Sequence, residues 1–131
     1  NEEKITKSKQ EPIVKNTPVV ILVNEATASA SEILAGALKD KYNATIVGKT
    51  TYGKGVIQSL YNLKDGSGLK ITTDEYFTPN HNKIQKTGIT PDVEVDLTKD
   101  ADGNYETGDK DAQLLKAIEV IKGKMLEVTI Q

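Results

Sequence analysis

A serine at a turn and a lysine between glycines are the residues of this chain whose setting suits chemistry. Ser29 follows Asn24-Glu25-Ala26-Thr27-Ala28, and Lys54 stands in Gly53-Lys54-Gly55. A hydroxyl is a poor nucleophile until a base takes its proton, and a neutral lysine amine is such a base. An ordinary lysine titrates at about 10.4, so a basic one needs burial or a nearby positive dipole to shed its charge. Aliphatic Val56 and Ile57, glycines that let backbones approach, and a helix start at Ser29 offer those means. A carbonyl attacked by Ser29 could rest its oxyanion on the N–H of Ala30, a donor left unpaired in a helix's first turn. Gln58, four residues past Lys54, falls on the same side of an extended strand and could orient the amine.

Plainer readings stand beside these. Ser29-Ala30-Ser31-Glu32 is also an S-x-x-E capping box, with Glu32 reaching back to the cap. A lysine in a glycine-rich loop is commonly solvated, and Gln58 fits an ordinary exposed strand position. Ser31 is a competing hydroxyl that points around the helix from Ser29. Gly48 to Lys54 matches the phosphate-binding pattern G-x-x-x-x-G-K. Yet Gly55 stands where a Ser or Thr would hold Mg²⁺, and strand rather than helix follows. His81, the sole histidine, lies in the loop Asn80-His81-Asn82 and reads as solvent-exposed. Asp100, Asp102 and Asn104 hint at a calcium loop, but the glycine comes too early and the segment reads as a turn. Neither a cofactor nor a metal is expected.

The elements that would position the pair are legible. Val19–Val23 is a β-branched and aliphatic run, expected as a buried parallel strand. Ala30, Ile33, Leu34, Ala37 and Leu38 recur at helical spacing, which predicts a helix from about Ser29 to Lys41 with that stripe inward. Ala44–Val47 is the next strand, completing a βαβ unit with a right-handed crossover. Val56–Tyr61 and Leu69–Thr73 read as an antiparallel hairpin turned by Asp65-Gly66. Val93–Val95 is a short edge strand. A second helix is expected from about Asp109 to Lys122, with Leu114, Leu115, Ile118 and Ile121 inward and Gly123 as its stop. Met125–Ile130 reads as a short strand, and Ile13-Val14 as another within a polar, mobile lead-in over residues 1–17.

The whole chain, at 131 residues with a formal net charge of −2, has the size of one domain and no general attraction for nucleic acid. Without cysteine it has no disulfide, thiolate or cysteine–zinc chemistry. No apolar run approaches the roughly eighteen residues that span a membrane. The charged start NEEKITKSKQ lacks a signal-peptide pattern and an initiator Met, which suggests a piece cut from something longer.

Four segments in order, VNEATASASEILAGALKD, ATIVGKTTYGKGVIQ, DGSGLKITTDEYFTP and TGITPDVEV, carry a specific resemblance. From about Pro18 to Val95 the chain resembles the catalytic domain of the C-terminal processing peptidases, or tail-specific proteases. The resemblance implies an α/β fold: a ClpP/crotonase-like βαβ core with an antiparallel hairpin and a C-terminal helix. It implies a serine–lysine dyad. Ser29 matches the middle serine of the family's S-A-S-A-S-E motif, with Thr27 in place of the first serine and Ala26 where Gly is common. Lys54 matches the lysine of T-F/Y-G-K-G, and Gln58 the glutamine that supports it. The oxyanion hole would use the Ala30 N–H and a second N–H from a glycine-rich turn outside this sequence, as is the PDZ domain that presents substrate tails. Residues 18–131 are then a partial catalytic domain, of weak or no activity alone. The implied partners are unfolded or tail-exposed proteins bound in extended form, and further copies of the chain. The implied location is extracytoplasmic: periplasmic, cell-envelope or secreted. The alternative is a non-enzymatic scaffold or assembly module that keeps the fold.

Overall fold

The computed structural model describes residues 3–5, 7, 9–11, 13 and 15–130, the last three by their backbone alone. It is a mixed α/β structure. Strand β1 (Val20–Val23) leads into helix α1 (Ala30–Tyr42), which returns to β2 (Thr45–Gly48). The two strands pair in parallel, Val20 opposite Thr45 through Val23 opposite Gly48. Strand β3 (Val56–Asn62) and β4 (Gly68–Glu75) form an antiparallel hairpin of their own. The short β5 (Val93–Glu94) adds in parallel to the far side of β2, giving the order β1-β2-β5. A 3₁₀ turn at Gly108–Lys110 precedes helix α2 (Ala112–Ile130), which packs on β1 and β2.

The core sits around β2. Successive strand side chains point to opposite faces, and Ile46 and Val47 are both 0% exposed, so β2 is covered on both sides. Ile46 clusters with Val23, Ala35 of α1, and Ile84 and Ile89 from the loop after the hairpin. Asp92 pins that loop to the sheet: its carboxylate accepts the Ile46 N–H at 2.8 Å and pairs with Lys39 of α1.

Several expectations are corrected. Helix α1 turns its apolar stripe only partly inward: Ile33, Ala37 and Leu38 are half-buried, Ala30 is exposed and Leu34 is 61% exposed, whereas Glu32, Ala35 and Gly36 are buried. The cause is close approach. A Cβ at Gly36 would lie 2.9 Å from the Thr78 methyl, so the small-residue face is the one that fits. β1 is parallel as expected but only Val23 is buried, because nothing pairs with its outer edge among the described residues. Helix α2 buries Gln113 and Ala117, leaving Leu115 and Ile118 exposed. It begins at Ala112, where the Asp111 carboxylate caps the Leu114 N–H at 3.0 Å. Gly123 does not stop it, and Met125–Ile130 is helix rather than strand. A glycine stop needs a left-handed conformation, and here the flanking Lys122, Lys124, Met125, Leu126 and Glu127 are all good helix formers. Of the Ile13-Val14 strand, Val14 lies outside the described residues and Ile13 is an exposed bend.

Candidate active site

Ser29 stands on a strained corner between β1 and α1. A lattice of short bonds builds the approach: the Thr27 N–H donates to the Asn24 carbonyl, and the Asn24 N–H to the Thr27 hydroxyl at 3.0 Å. Ser29 then adopts φ 57°, ψ −120°, a region that favours glycine and costs another residue about 1–3 kcal/mol. The half-buried serine thus stands at the corner just before the helix begins. The next residue, Ala30, offers a backbone N–H with no acceptor among the described residues. An N–H beside a nucleophile at a helix start is the donor an oxyanion needs.

Glu32 assembles the rest. The S-x-x-E cap is present, and Glu32 accepts the Ser29 N–H at 2.8 Å. The Ser29 hydroxyl makes no capping hydrogen bond; the Glu32 N–H donates to the Ser29 carbonyl at 2.9 Å. The same carboxylate, 0% exposed, also accepts the Thr51 hydroxyl at 2.5 Å and the N–H groups of Gly53 at 2.6 Å and Lys54 at 2.8 Å. Burial alone pushes its titration up, but these four donors outweigh it and hold Glu32 below the ordinary glutamate range. One oxygen, Oε2, takes both the Ser29 and the Lys54 N–H, each at 2.8 Å. The two backbone nitrogens are therefore within twice that distance of each other. A helix start and a loop separated by twenty-odd residues of chain meet on a single buried atom.

The loop itself is an irregular ribbon from Thr51 to Gly55, with Gly53 at a positive φ. Thr51, Gly53 and Gly55 are buried, while Tyr52 and Lys54 are exposed. The glycines are required by contact. A Cβ at Gly55 would stand 2.4 Å from the Gln85 backbone nitrogen, and Gly53 combines φ +83° with a 3.0 Å approach to Gly88. The Lys86 N–H donates to the Gly53 carbonyl and the Gln85 side chain accepts the Gly55 N–H. Thr51 completes the frame, its hydroxyl accepting the Ile89 N–H at 2.7 Å.

Lys54 is exposed, and Val56 and Ile57 only half-buried, so the desolvation expected of a basic lysine is not supplied by these neighbours. Lys49, the other lysine of this loop, is engaged elsewhere. Its amine contacts Glu94 at 2.7 Å and Asp96 at 3.0 Å, and these carboxylates hold it protonated well above the lysine range. Gln58 lies on β3 opposite Thr72, just after a register shift between Ile57 and Gln58. It is exposed, and no hydrogen bond joins it to Lys54 among the described residues.

Residues 1–95 match the family model of Peptidase family S41. The chain belongs to that family. A carboxyl-terminal-processing protease of Synechocystis is 52% identical over 97 residues, and a chloroplastic carboxyl-terminal-processing peptidase 2 of Arabidopsis thaliana is 58% identical over 80. These matches take in 68% and 61% of this chain. The chain spans only 23% and 16% of those relatives' lengths. The solved structure of a photosystem II D1 C-terminal processing protease is similar with a TM-score of 0.60 and 50% identity, over 67% of this chain and 24% of that one.

The other candidates of this S41 chain fall away from the pair. Ser31 is exposed on α1. His81 is an exposed, positive-φ loop residue facing Glu3 at 3.8 Å. Asp100 makes the turn expected of it, accepting the N–H groups of Asp102 and Asn104. The ribbon leads into β3, not a helix, so the phosphate-binding pattern lacks its cradle. Sequence reasoning reached Glu32 only as a cap. Its wider role was hidden because three of its four donors come from a segment remote in sequence.

Proposed function

We propose that this chain carries the serine–lysine dyad of a C-terminal processing endopeptidase. The observation that supports it is the shared Glu32 oxygen, which draws the backbones of Ser29 and Lys54 together at the start of α1. In the proposed reaction the Ser29 Oγ bonds to a peptide carbonyl carbon as its proton passes to the Lys54 Nζ. The Ala30 N–H takes the oxyanion, together with a second donor from outside this chain. The C–N bond then breaks, Lys54 returning the proton to the leaving amine. A water attacks the resulting ester, its proton going to Lys54; the C–Oγ bond then breaks and Lys54 gives that proton to Oγ, which restores Ser29 and frees the acid. Gln58 orients the lysine. Bound substrate excludes water from Lys54, whose amine is exposed without it.

In this reading residues 18–131 are part of a ClpP/crotonase-like catalytic domain and 1–17 lead into it. Substrates are unfolded or tail-exposed proteins in extended form. The location is extracytoplasmic, a reading compatible with the chloroplastic relative.

The test is hydrolysis of a fluorescent unfolded protein by the full chain. Ser29→Ala and Lys54→Ala are each expected to abolish whatever turnover the parent shows. A serine-acylating probe should label the parent and not Ser29→Ala. Turnover that survives either substitution rejects the dyad.

A further inference from the structure

The ribbon that bears Lys54 bears a second outward side chain. Thr51 is 6% exposed and Tyr52 68%. Tyr52 and Lys54 are both exposed, on either side of the buried Gly53. Two residues of chain reach at most about 7 Å, so Tyr52 lies within that distance of Lys54 along the backbone. The Tyr52 N–H also donates to the Thr27 carbonyl at 2.9 Å, which ties this residue to the turn just before Ser29. Its neighbours are fixed as well: the Thr51 N–H donates to the Ile89 carbonyl and the Gly53 N–H to Glu32. An aromatic ring is thus carried, uncovered, on backbone bonded at three consecutive residues. A single exposed aromatic on a mobile loop means little. One held rigidly beside a reacting pair does more, because a preorganised ring gives apolar area at small entropic cost.

Resting on the dyad reading for where substrate lies, we infer that Tyr52 determines specificity: its ring is the platform for an apolar side chain flanking the scissile bond of an extended peptide. The Thr27 carbonyl that holds the Tyr52 N–H lies two residues before Ser29, so the backbone that carries the ring stands beside the corner that bears the nucleophile. The site would then favour aliphatic or aromatic residues next to the cleaved bond. A polar residue there finds no hydrogen-bond partner in a ring face.

Binding is measured in the full chain carrying Ser29→Ala, which removes the nucleophile from the measurement. The probes are two fluorescein-labelled short peptides of glycine, serine and lysine, with either leucines or serines at their central positions. The leucine peptide is expected to bind more tightly. Tyr52→Ala should weaken it about tenfold and the serine peptide less than about twofold, whereas Tyr52→Phe should keep the preference. Equal weakening of both peptides, no effect on either, or no preference in the parent overturns the inference. Hydrolysis that persists in Ser29→Ala signals failure of the dyad itself and is read in a separate assay.

Discussion

At the scale of single residues, the decisive group is neither proposed nucleophile nor base but the carboxylate between them. Glu32 is fully buried with four donors and, among the described residues, no counter-ion, an arrangement stable only while every oxygen lone pair it uses is answered. Glu32→Gln keeps the shape but turns an NH₂ toward N–H donors. We expect it to destabilise the fold by about 2–4 kcal/mol at neutral pH, measured by urea unfolding. The pH dependence has a definite sign. Because Glu32 titrates lower when folded, its contribution is complete above the unfolded value, about 4.3, and fades as pH falls through the folded one. The difference between parent and Glu32→Gln should therefore be constant near neutrality and shrink below about pH 4. A difference that instead grew on acidification would mean that Glu32 is protonated in the folded protein.

At the scale of elements, pattern and packing diverge. Strand β1, helix α1, β2 and the hairpin were legible because alternation, helical spacing and an Asp-Gly turn each act locally. The helix start at Ser29 was legible for the same reason, whereas the pairing of Ser29 with Lys54 was an expectation carried by the family resemblance. Which face of α1 goes inward was not legible. The apolar stripe names Leu34, but Thr78 and Ile89 leave no room for a side chain at Gly36, and that surface comes from remote sequence. The end of α2 was misread because glycine is ambiguous: it marks a stop only when it turns left-handed. Gly123 stays in the helix, and a Cβ there would meet nothing within 4 Å. Gly123→Ala should then raise stability by about 0.5–1 kcal/mol, seen as a higher thermal midpoint without loss of helical dichroism. A glycine that really ended the helix would give the opposite result.

At the scale of the whole molecule, the fold has one firm centre and loosely held margins. The cluster of Val23, Ala35, Ile46, Ile84 and Ile89 lies directly behind the frame around Glu32. The hairpin is different: every residue of β4 is exposed, Leu60, Leu69 and Ile71 among the exposed residues of the two strands, and a two-stranded sheet is marginal by itself. Leu22 on the open edge of β1 adds apolar surface that nothing covers among the described residues. Local opening should follow this division. In native-state hydrogen exchange, the amides of Ser29, Gly53 and Lys54, all donating to one buried carboxylate, should open only with global unfolding. Those of Leu69–Thr73 should exchange through local opening at least about 2 kcal/mol below it. Uniform protection across both regions would show that the hairpin is packed as firmly as the core. Early exchange at Gly53 and Lys54 would show that the frame is loose, and the site would then need substrate to assemble it.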